Sequence, residues 1–494
     1  MKNAEKGIAM GVINTILTII LPFCSRTVLL YFMGVEYLGL NSLFTSILNV
    51  LNLSELGFGM AVTCILYEPI AQENQQKINA VLKFYRMCCR MIGMVILILG
   101  IAIIPFLPHL IQGSIPADCN LVILYLIYLS NTVISYFMYA YKKILLSAYQ
   151  LYHVEVNIGS VCLLLQYTLQ IVLVIIFRNY YLFAVMLPAI TIINNIICSV
   201  YVKRKFPDCK CEGQLEKGEI TELKKKVVGA FCVKIGNTVY NSADNIIISA
   251  FLGLSILGIY GNYYYIIAAI TAFFAVIHNA IRPVIGNRMV VKDSKEVWTM
   301  LRKQNDIYMW FAGICSICFL VLFQDFITIW VGAENKLTDT MVVLLCIYFY
   351  VGRVSGIISV YQEAAGILWN GKFMPLISAM TNLVVNIVLV HFIGLPGVVI
   401  SSILSSLFIS FPTYLYIVFK HYFKDFSLIK VFVANILKNL VITVICGTVI
   451  LFAVKYITVS GIAGLILKAI VCFIIPNLVY YVIVKKVLHK DFAF

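Results

Sequence analysis

The feature that most constrains this chain is a series of apolar runs, each roughly 20 residues long, that recurs from one end to the other. A run of that length spans the hydrocarbon core of a bilayer as an α-helix. Of the 494 residues, 62% are hydrophobic and 12% are charged, which is more apolar surface than a water-soluble domain can bury. The sequence therefore predicts an all-α polytopic membrane protein, because a backbone in lipid must satisfy its own hydrogen bonds.

Hydropathy and the positions of helix-breaking residues predict about fourteen transmembrane helices. Their approximate bounds are 8–32, 40–66, 87–110, 120–141, 155–177, 181–202, 228–252, 256–281, 307–330, 340–361, 374–394, 397–419, 431–454 and 461–484.

Lysine and arginine positions set the predicted orientation. The formal net charge is +15, but the basic residues lie in short loops between predicted spans, which argues against nucleic acid as a partner. With the N-terminus inside, the outer loops hold only Arg178, Lys336 and Lys455. The positive-inside rule then predicts that both termini lie in the cytoplasm.

The longest hydrophilic stretch divides the chain. Residues 203–227 are predicted to form a cytoplasmic linker between two six-helix halves, 1–202 and 228–420. Residues 421–494 are then helices 13 and 14 with a cytoplasmic tail.

An imperfect internal repeat relates the two halves. Three pairs of segments match at nearly one offset: Gly34-x-x-x-Leu38-Gly39 with Gly253-x-x-x-Leu257-Gly258, Tyr141 with Tyr361, and QIVLV at 170–174 with NIVLV at 386–390. Because spans one and seven both start inside, the repeat is predicted to be parallel, with a pseudo-twofold axis along the membrane normal. Such halves usually rock against one another around a central site.

The 15 cysteines predict no disulfide framework, because most lie in predicted spans or inner loops. Cys209 and Cys211 form a C-x-C pair, but a tetrahedral zinc site needs a second pair of ligands. No metal site and no cofactor are predicted.

Residues 51–93 carry several short motifs. They are Glu55-Leu56-Gly57-x-Gly59, Leu66-Tyr67-x-Pro69, Lys77-Ile78 and Lys83-x-Tyr85-Arg86. Together with the G-x-x-x-L-G repeats and the fourteen spans, this segment resembles Wzx-type polysaccharide flippases. These belong to the multidrug/oligosaccharidyl-lipid/polysaccharide exporter superfamily.

The resemblance implies a multi-pass transporter of the bacterial cytoplasmic (inner) membrane and not an enzyme. Its substrate would be an undecaprenyl-diphosphate-linked oligosaccharide, moved from the inner to the outer leaflet by alternating access for O-antigen, capsule or a similar polysaccharide. Expected partners are this lipid-linked substrate, membrane lipids, and a polysaccharide polymerase with its chain-length machinery. A coupling ion or the membrane potential would drive transport, in keeping with the absence of a G-x-x-x-x-G-K-[ST] phosphate loop from the sequence.

Charged residues within spans are the candidate site residues, because they are costly in lipid and therefore functional by default. Arg353 lies mid-span among small residues, and the other predicted substrate-binding cations are Arg26, Lys234 and Arg282. A structural ion pair remains the alternative for Arg353, and snorkelling to the interface remains the alternative for Lys234 and Arg282. For Lys438 and Lys468, on the last two spans, interfacial or headgroup roles are expected.

Three further residues are candidates for gating or ion coupling: Asp244, Glu55 and His278. The repeat places Arg26 and Asp244 one position apart on equivalent helices. Our hypothesis is that they approach across a cleft between the halves, lined by more cation than anion, and help to close its outer side. The alternative is that each residue pairs within its own half.

Three other functions remain open. A flippase for the peptidoglycan lipid precursor shares the architecture and the cationic cavity. A cation-coupled drug exporter of the same superfamily typically has an acid in the first span, where this chain has Arg26. A membrane-embedded polysaccharide-modifying enzyme is a remote alternative, since His278 and His391 have no acid near them in sequence and no outer loop is long.

Overall fold

The computed structural model describes residues 2–52, 58–113, 115–215, 236 and 238–487. Within these ranges the chain is helical, with short loops between helices and no strand. The predicted all-α fold is confirmed.

The chain packs into two compact units, and unit 1 comprises residues 1–258. Its helices are α1 (Lys2–Met33), α2 (Val35–Leu51), α3 (Phe58–Ala71), α4 (Gln75–Ile103), α5 (Leu121–Phe137), α6 (Ala140–Ala148), α7 (Tyr152–Phe177), α8 (Tyr180–Lys205) and α9 (238–252). A 3₁₀ turn, Ile104–Leu110, extends α4.

Unit 2 comprises residues 259–494. Its helices are α10 (Leu254–Val291), which begins in unit 1, then α11 (Ser294–Val331), α12 (Asp339–Val354), α13 (Gly356–Ala364), α14 (Met374–Ile393), α15 (Leu395–Ser405), α16 (Phe411–Val418), α17 (Ser427–Val454) and α18 (Gly461–Val487). Two π-helical turns, Ser406–Ser410 and Phe419–Phe423, follow α15 and α16.

The described residues contain eleven helices that are long and apolar enough to cross a membrane. The bent pair Leu121–Phe137 and Tyr141–Ala148, with an angle of 57° between its helices, makes a twelfth. Of the fourteen predicted spans, the two without a counterpart here, 40–66 and 228–252, overlap residues outside the described ranges. The protein is therefore a multi-pass membrane protein, as predicted.

Backbone conformation repeats along the chain. Four pairs of residues adopt positive φ at equivalent turns between helices, the first two pairs 219 residues apart and the others 216. They are Gly34 and Gly253, Gly113 and Gly332, Gln150 and Gly366, and Arg178 and Gly394. These are the offsets found in the sequence, so the internal repeat extends to the turn geometry. The predicted boundaries of the two halves remain a prediction.

The last two helices lie outside the repeat and pack on α11 within unit 2. Lys438 of α17 pairs with Asp306 at 3.3 Å, and Lys468 of α18 pairs with Asp325 at 2.5 Å. The two aspartates are 19 residues apart on α11, or about 28 Å at 1.5 Å per residue. The pairs therefore fasten the C-terminal helices at two well-separated levels of α11.

Candidate functional site

Arg353 lies in the last turn of α12, just before the break at Ser355 that separates α12 from α13. Its guanidinium carbon is 5.4 Å from the ring centre of Phe274 and 5.6 Å from that of Phe349. The Arg353 Nε atom is buried and has no hydrogen-bond partner among the described residues. In the described residues no carboxylate pairs with Arg353, so its charge is held by aromatic faces and by the neighbouring Tyr308 hydroxyl.

Gly356 explains how Tyr308 reaches this position. A Cβ atom at Gly356 would overlap the Tyr308 hydroxyl and ring, so a larger residue would push Tyr308 away. The Tyr308 hydroxyl lies 3.0 Å from His278 Nε2, and the two rings stack with centres 5.3 Å apart. The short run of small residues beside Arg353 thus places an aromatic and an imidazole next to the guanidinium.

Arg282 lies one turn beyond His278 on α10. Its Nε donates to a Glu363 carboxylate oxygen at 3.0 Å, and its Nη2 donates to Asn279 Oδ1 at 2.7 Å. The Arg282 and Glu363 side chains are 44% and 37% exposed. Arg282 and Arg353 both lie close enough for their charges to act on His278.

The structure therefore brings three of the predicted site residues, Arg353, Arg282 and His278, into one cluster within unit 2. We call this group the unit 2 cation cluster, with Tyr308 and Glu363 as its other members. Guanidinium groups bind phosphates through paired hydrogen bonds, most strongly where water is scarce. The cluster has the chemistry to receive a phosphate ester.

Arg26 and Asp244 lie in unit 1. Arg26 Nη2 donates to the Gly258 carbonyl at 3.1 Å, and Asp244 is buried, with 8% of its surface exposed. Beside Asp244, Asn245 Nδ2 donates to Ser46 Oγ at 2.9 Å. Both predicted gating residues thus lie where α1 and α2 contact residues 238–258.

Reciprocal glycine contacts hold this region together. A Cβ at Gly39 would overlap the Leu254 carbonyl, and a Cβ at Gly258 would overlap the Val35 carbonyl. The repeat offset of 219 converts each contact into the other. We call the pair of contacts made by Gly39 and Gly258 the glycine contact. Only residues without a side chain allow the two helix starts to approach this closely.

Two predicted site residues, Glu55 and Lys234, lie outside the described residues.

Sequence reasoning missed the acidic partners. Glu363, Asp306 and Asp325 each pair with a basic residue of unit 2. Asp325 falls within a predicted span, so its charge was a usable signal for a functional or paired residue, although its partner could not be read from the sequence.

Buried hydroxyls and amides also join α14 to α15 within unit 2. Asn382 Nδ2 donates to Ser402 Oγ at 2.9 Å and to Ser401 Oγ at 3.2 Å, and Ser378 and Ser405 share a hydroxyl contact at 2.8 Å. Polar residues recur about every four positions along α14. This spacing was the sequence signal for the hydrogen bonds to α15.

Among the described residues no three His, Cys, Asp or Glu side chains are grouped in a way that could hold a metal ion. The Cys209 and Cys211 pair therefore has no third ligand of these types within the described part of the chain.

The fold identifies the class of this protein. It is a polytopic helical membrane protein with an internal repeat and intramembrane cations, and it has the fold of the transporters of the multidrug/oligosaccharidyl-lipid/polysaccharide (MOP) superfamily. Residues 4–289 match the model of the family described as polysaccharide biosynthesis protein, and the chain belongs to that family. The predicted membership is confirmed.

Several solved structures are similar. A lipid II flippase, MurJ, in an inward closed conformation is 16% identical with a TM-score of 0.69, and the match covers 97% of this chain and 100% of that one. An inward-facing multidrug resistance MATE family transporter of the MOP superfamily is 12% identical with a TM-score of 0.64, covering 82% and 94%. A MATE protein in a bent conformation has a TM-score of 0.53 at 12% identity, covering 85% and 96%. No curated protein matches the chain in sequence.

Proposed function

We propose that this protein is a flippase that moves an undecaprenyl-diphosphate-linked oligosaccharide from the inner to the outer leaflet of the cytoplasmic membrane by alternating access. The observation that carries the proposal is Arg353. It is an intramembrane cation with a buried Nε that lacks a hydrogen-bond partner and with no carboxylate paired to it in the described residues. Family membership supports a role in making O-antigen, capsule or a similar polysaccharide.

The charge of the substrate explains why cations are needed. A bilayer opposes the passage of a diphosphate because its charges lose their hydration in hydrocarbon. Guanidinium groups at membrane depth replace that hydration with charge-assisted hydrogen bonds. We propose that Arg353 and Arg282 bind the diphosphate, while the sugars and the lipid chain make less specific contacts.

Glu363 holds Arg282 when no substrate is bound. Since the pair is partly exposed, it is weak enough for a diphosphate to displace. His278, hydrogen-bonded to Tyr308, is our candidate for ion coupling near the arginines. Lys234 and Glu55 keep their proposed roles as a substrate-binding cation and a coupling residue.

The proposed setting follows from the charge bias of the loops. Both termini lie in the cytoplasm, and transport is coupled to an ion or to the membrane potential. The partners are the lipid-linked oligosaccharide, membrane lipids, and the polymerase with its chain-length machinery.

Replacing Arg353 tests the proposal. Arg353→Ala removes charge-assisted hydrogen bonds that together contribute about 3 kcal/mol, so export should fall more than a hundredfold. The assay is surface polymer in a flippase-deficient strain, with the amount of protein in the membrane measured in parallel. Full surface polymer in the variant would refute the role of Arg353.

Lys438→Ala is the matched control, because it also removes one cation from a predicted span. Asp306, its partner, keeps the hydrogen bond from Asn439 Nδ2 at 2.7 Å. Export should therefore survive in this variant. If both variants lose export equally, the effect reflects the loss of any intramembrane charge and not a diphosphate site.

We also propose that the glycine contact is the outer gate, with Arg26 and Asp244 as its charged members. Reversing either charge should impair export, whereas Arg26→Asp combined with Asp244→Arg should recover part of it. Cysteines placed at the two positions should cross-link in at least one condition of transport. A complete lack of cross-linking would rule out their contact.

Gly39→Ala tests the gate independently of charge. The added Cβ should destabilise the closed contact by about 1–3 kcal/mol, as overpacking does in cores. Gly159→Ala in α7 is the control, because a Cβ there meets no atom within 4 Å. Thiol labelling of a cysteine at position 26 should become faster in the first variant only; unchanged labelling would contradict the gate.

One second function is favoured by a specific observation. The solved lipid II flippase MurJ matches along nearly the whole chain, and its lipid substrate also supplies phosphate charge for the same arginines. Complementation of a strain that lacks its peptidoglycan-precursor flippase distinguishes the two. Growth of that strain, without restored capsule or O-antigen in the other, would favour the second function.

A further inference from the structure

A group of basic residues meets in unit 1, where the middle of α4 lies near the start of α6 and the end of α8. We call Arg86, Arg90, Lys142 and Lys203 the basic cluster. The Arg86 guanidinium lies 5.8 Å from the Tyr141 ring centre, and Lys142 Nζ donates to Ser199 Oγ at 2.9 Å. Arg86, Arg90 and Lys142 all act electrostatically on the Cys211 thiol, and Lys203 acts on Lys142. The four charges therefore share a small region.

No carboxylate pairs with Arg86, Arg90 or Lys142 in the described part of the chain. The nearby Lys143 has Glu155, but that carboxylate acts on Lys143 and Cys198 and not on the cluster. Burial raises the pKa of the Cys211 thiol, so at neutral pH the thiol does not supply a compensating negative charge. Among the described residues, then, nothing neutralises the positive charge of the cluster.

The loop after α8 builds one wall of the region. Gln75 Nε2 donates to the Asp208 carbonyl at 2.9 Å, and Asn79 Oδ1 accepts from the Lys210 amide at 2.8 Å. Phe206 stacks on Tyr149 with ring centres 4.3 Å apart. These contacts fix residues 206–215 against α4 and α6, so Cys211 and the cations beside it have a defined geometry.

The internal repeat shows that the fold does not require these cations. Tyr141 corresponds to Tyr361, which bonds to Gln304 Oε1 at 2.9 Å where Tyr141 contacts Arg86. Lys142 corresponds by the same offset to Gln362. In unit 2 the equivalent tyrosine therefore bonds to an uncharged side chain and is followed by one, so the charges of Arg86 and Lys142 have a role other than packing.

We propose that the basic cluster is a binding site for a phosphate ester at the membrane boundary. Basic pockets between transmembrane helices on the cytoplasmic side bind anionic headgroups, and the orientation predicted from loop charge puts this end of unit 1 in the cytoplasm. The phosphate belongs either to an anionic phospholipid or to a lipid diphosphate, which share this chemistry. The proposal does not depend on the proposed function, since the unit 2 cation cluster is separate in the chain.

The test uses the full-length protein in lipid nanodiscs and replaces two cations by glutamine, the residue type that bonds to Tyr361 and that follows it in unit 2. Arg86→Gln combined with Lys142→Gln should weaken binding of phosphatidylglycerol about fivefold for each cation removed. Retention of phosphatidylglycerol by native mass spectrometry is the readout. Lys336→Gln combined with Lys455→Gln removes the same charge from predicted outer loops and should leave that binding unchanged.

A second arm titrates undecaprenyl diphosphate into protein held in phosphatidylcholine alone. A loss confined to phosphatidylglycerol identifies a phospholipid as the ligand, and a loss confined to undecaprenyl diphosphate identifies a lipid diphosphate; either supports the site. Unchanged binding of both ligands, or an equal loss in the control, overturns it. Should the double variant fail to fold, Arg90→Gln with Lys203→Gln changes two exposed side chains and decides the question in the same way.

Discussion

Unit 2 holds two groups of intramembrane cations that look alike in sequence and differ in their partners. Lys438 and Lys468 each meet an aspartate of α11, whereas Arg353 meets aromatic rings and a tyrosine hydroxyl. Arg282 is intermediate between these groups. It has a carboxylate partner, but both side chains of the pair are partly exposed. A charge within a span can therefore be assigned a function only when its partners are known. A charge that is paired within the bundle fastens helices, and one without a carboxylate is available to an anion.

The largest expected effect concerns the Lys468–Asp325 pair. Asp325→Leu leaves a lysine without its partner and should lower the free energy of unfolding by about 2 kcal/mol, between the values for surface and buried pairs. Adding Lys468→Leu should restore most of this stability, because an apolar pair suits the bilayer. Thermal unfolding in detergent is the measurement. Loss of export from the stable double variant would contradict this assignment, because it would show that the pair has a role in transport.

The next effect sharpens the role of Arg353. Arg353→Lys keeps the charge but loses the planar fork that binds a phosphate through two hydrogen bonds. Export should fall about tenfold, the equivalent of one charge-assisted hydrogen bond, and remain above that of Arg353→Ala. Equal export by the lysine and arginine forms would show that charge alone suffices at this position.

A smaller effect is expected for Glu363→Gln. The change removes the carboxylate that competes for Arg282, and a partly exposed pair contributes up to about 1 kcal/mol. Binding of undecaprenyl diphosphate to the purified protein should therefore tighten up to about fivefold. Weaker binding would mean that Glu363 positions Arg282 for the substrate and does not compete with it. Glu334→Gln, in a loop of the same unit, is the matched control.

The smallest effect is expected for Lys438→Leu. Lys438 is 50% exposed, and its partner Asp306, 15% exposed, retains Asn439 as a donor. Unfolding should become easier by only about 0.5 kcal/mol, with export unchanged. A loss as large as that of Asp325→Leu would show that the two lysine–aspartate pairs do not differ as their exposure indicates.

The sequence predicted the helical membrane fold and the repeat because both depend on local properties. Apolar length decides whether a helix can span a bilayer, and the turns at Gly34 and Gly253 need residues that tolerate positive φ. Arg353, Arg282 and His278 could be named as candidates because charges and imidazoles are rare in such helices. The structure shows fewer spans than predicted because predicted spans two and seven overlap residues outside the described ranges.

Partnership was decided only by the tertiary structure. Nothing in the sequence around Lys468 points to Asp325, 143 residues away, and nothing around Arg282 points to Glu363. Whether a buried charge is neutralised depends on distances of a few ångströms between different helices, because electrostatic interactions in a medium of low dielectric constant change steeply with separation. Hydropathy and residue spacing place each charge along its own helix, but only packing determines which charges meet.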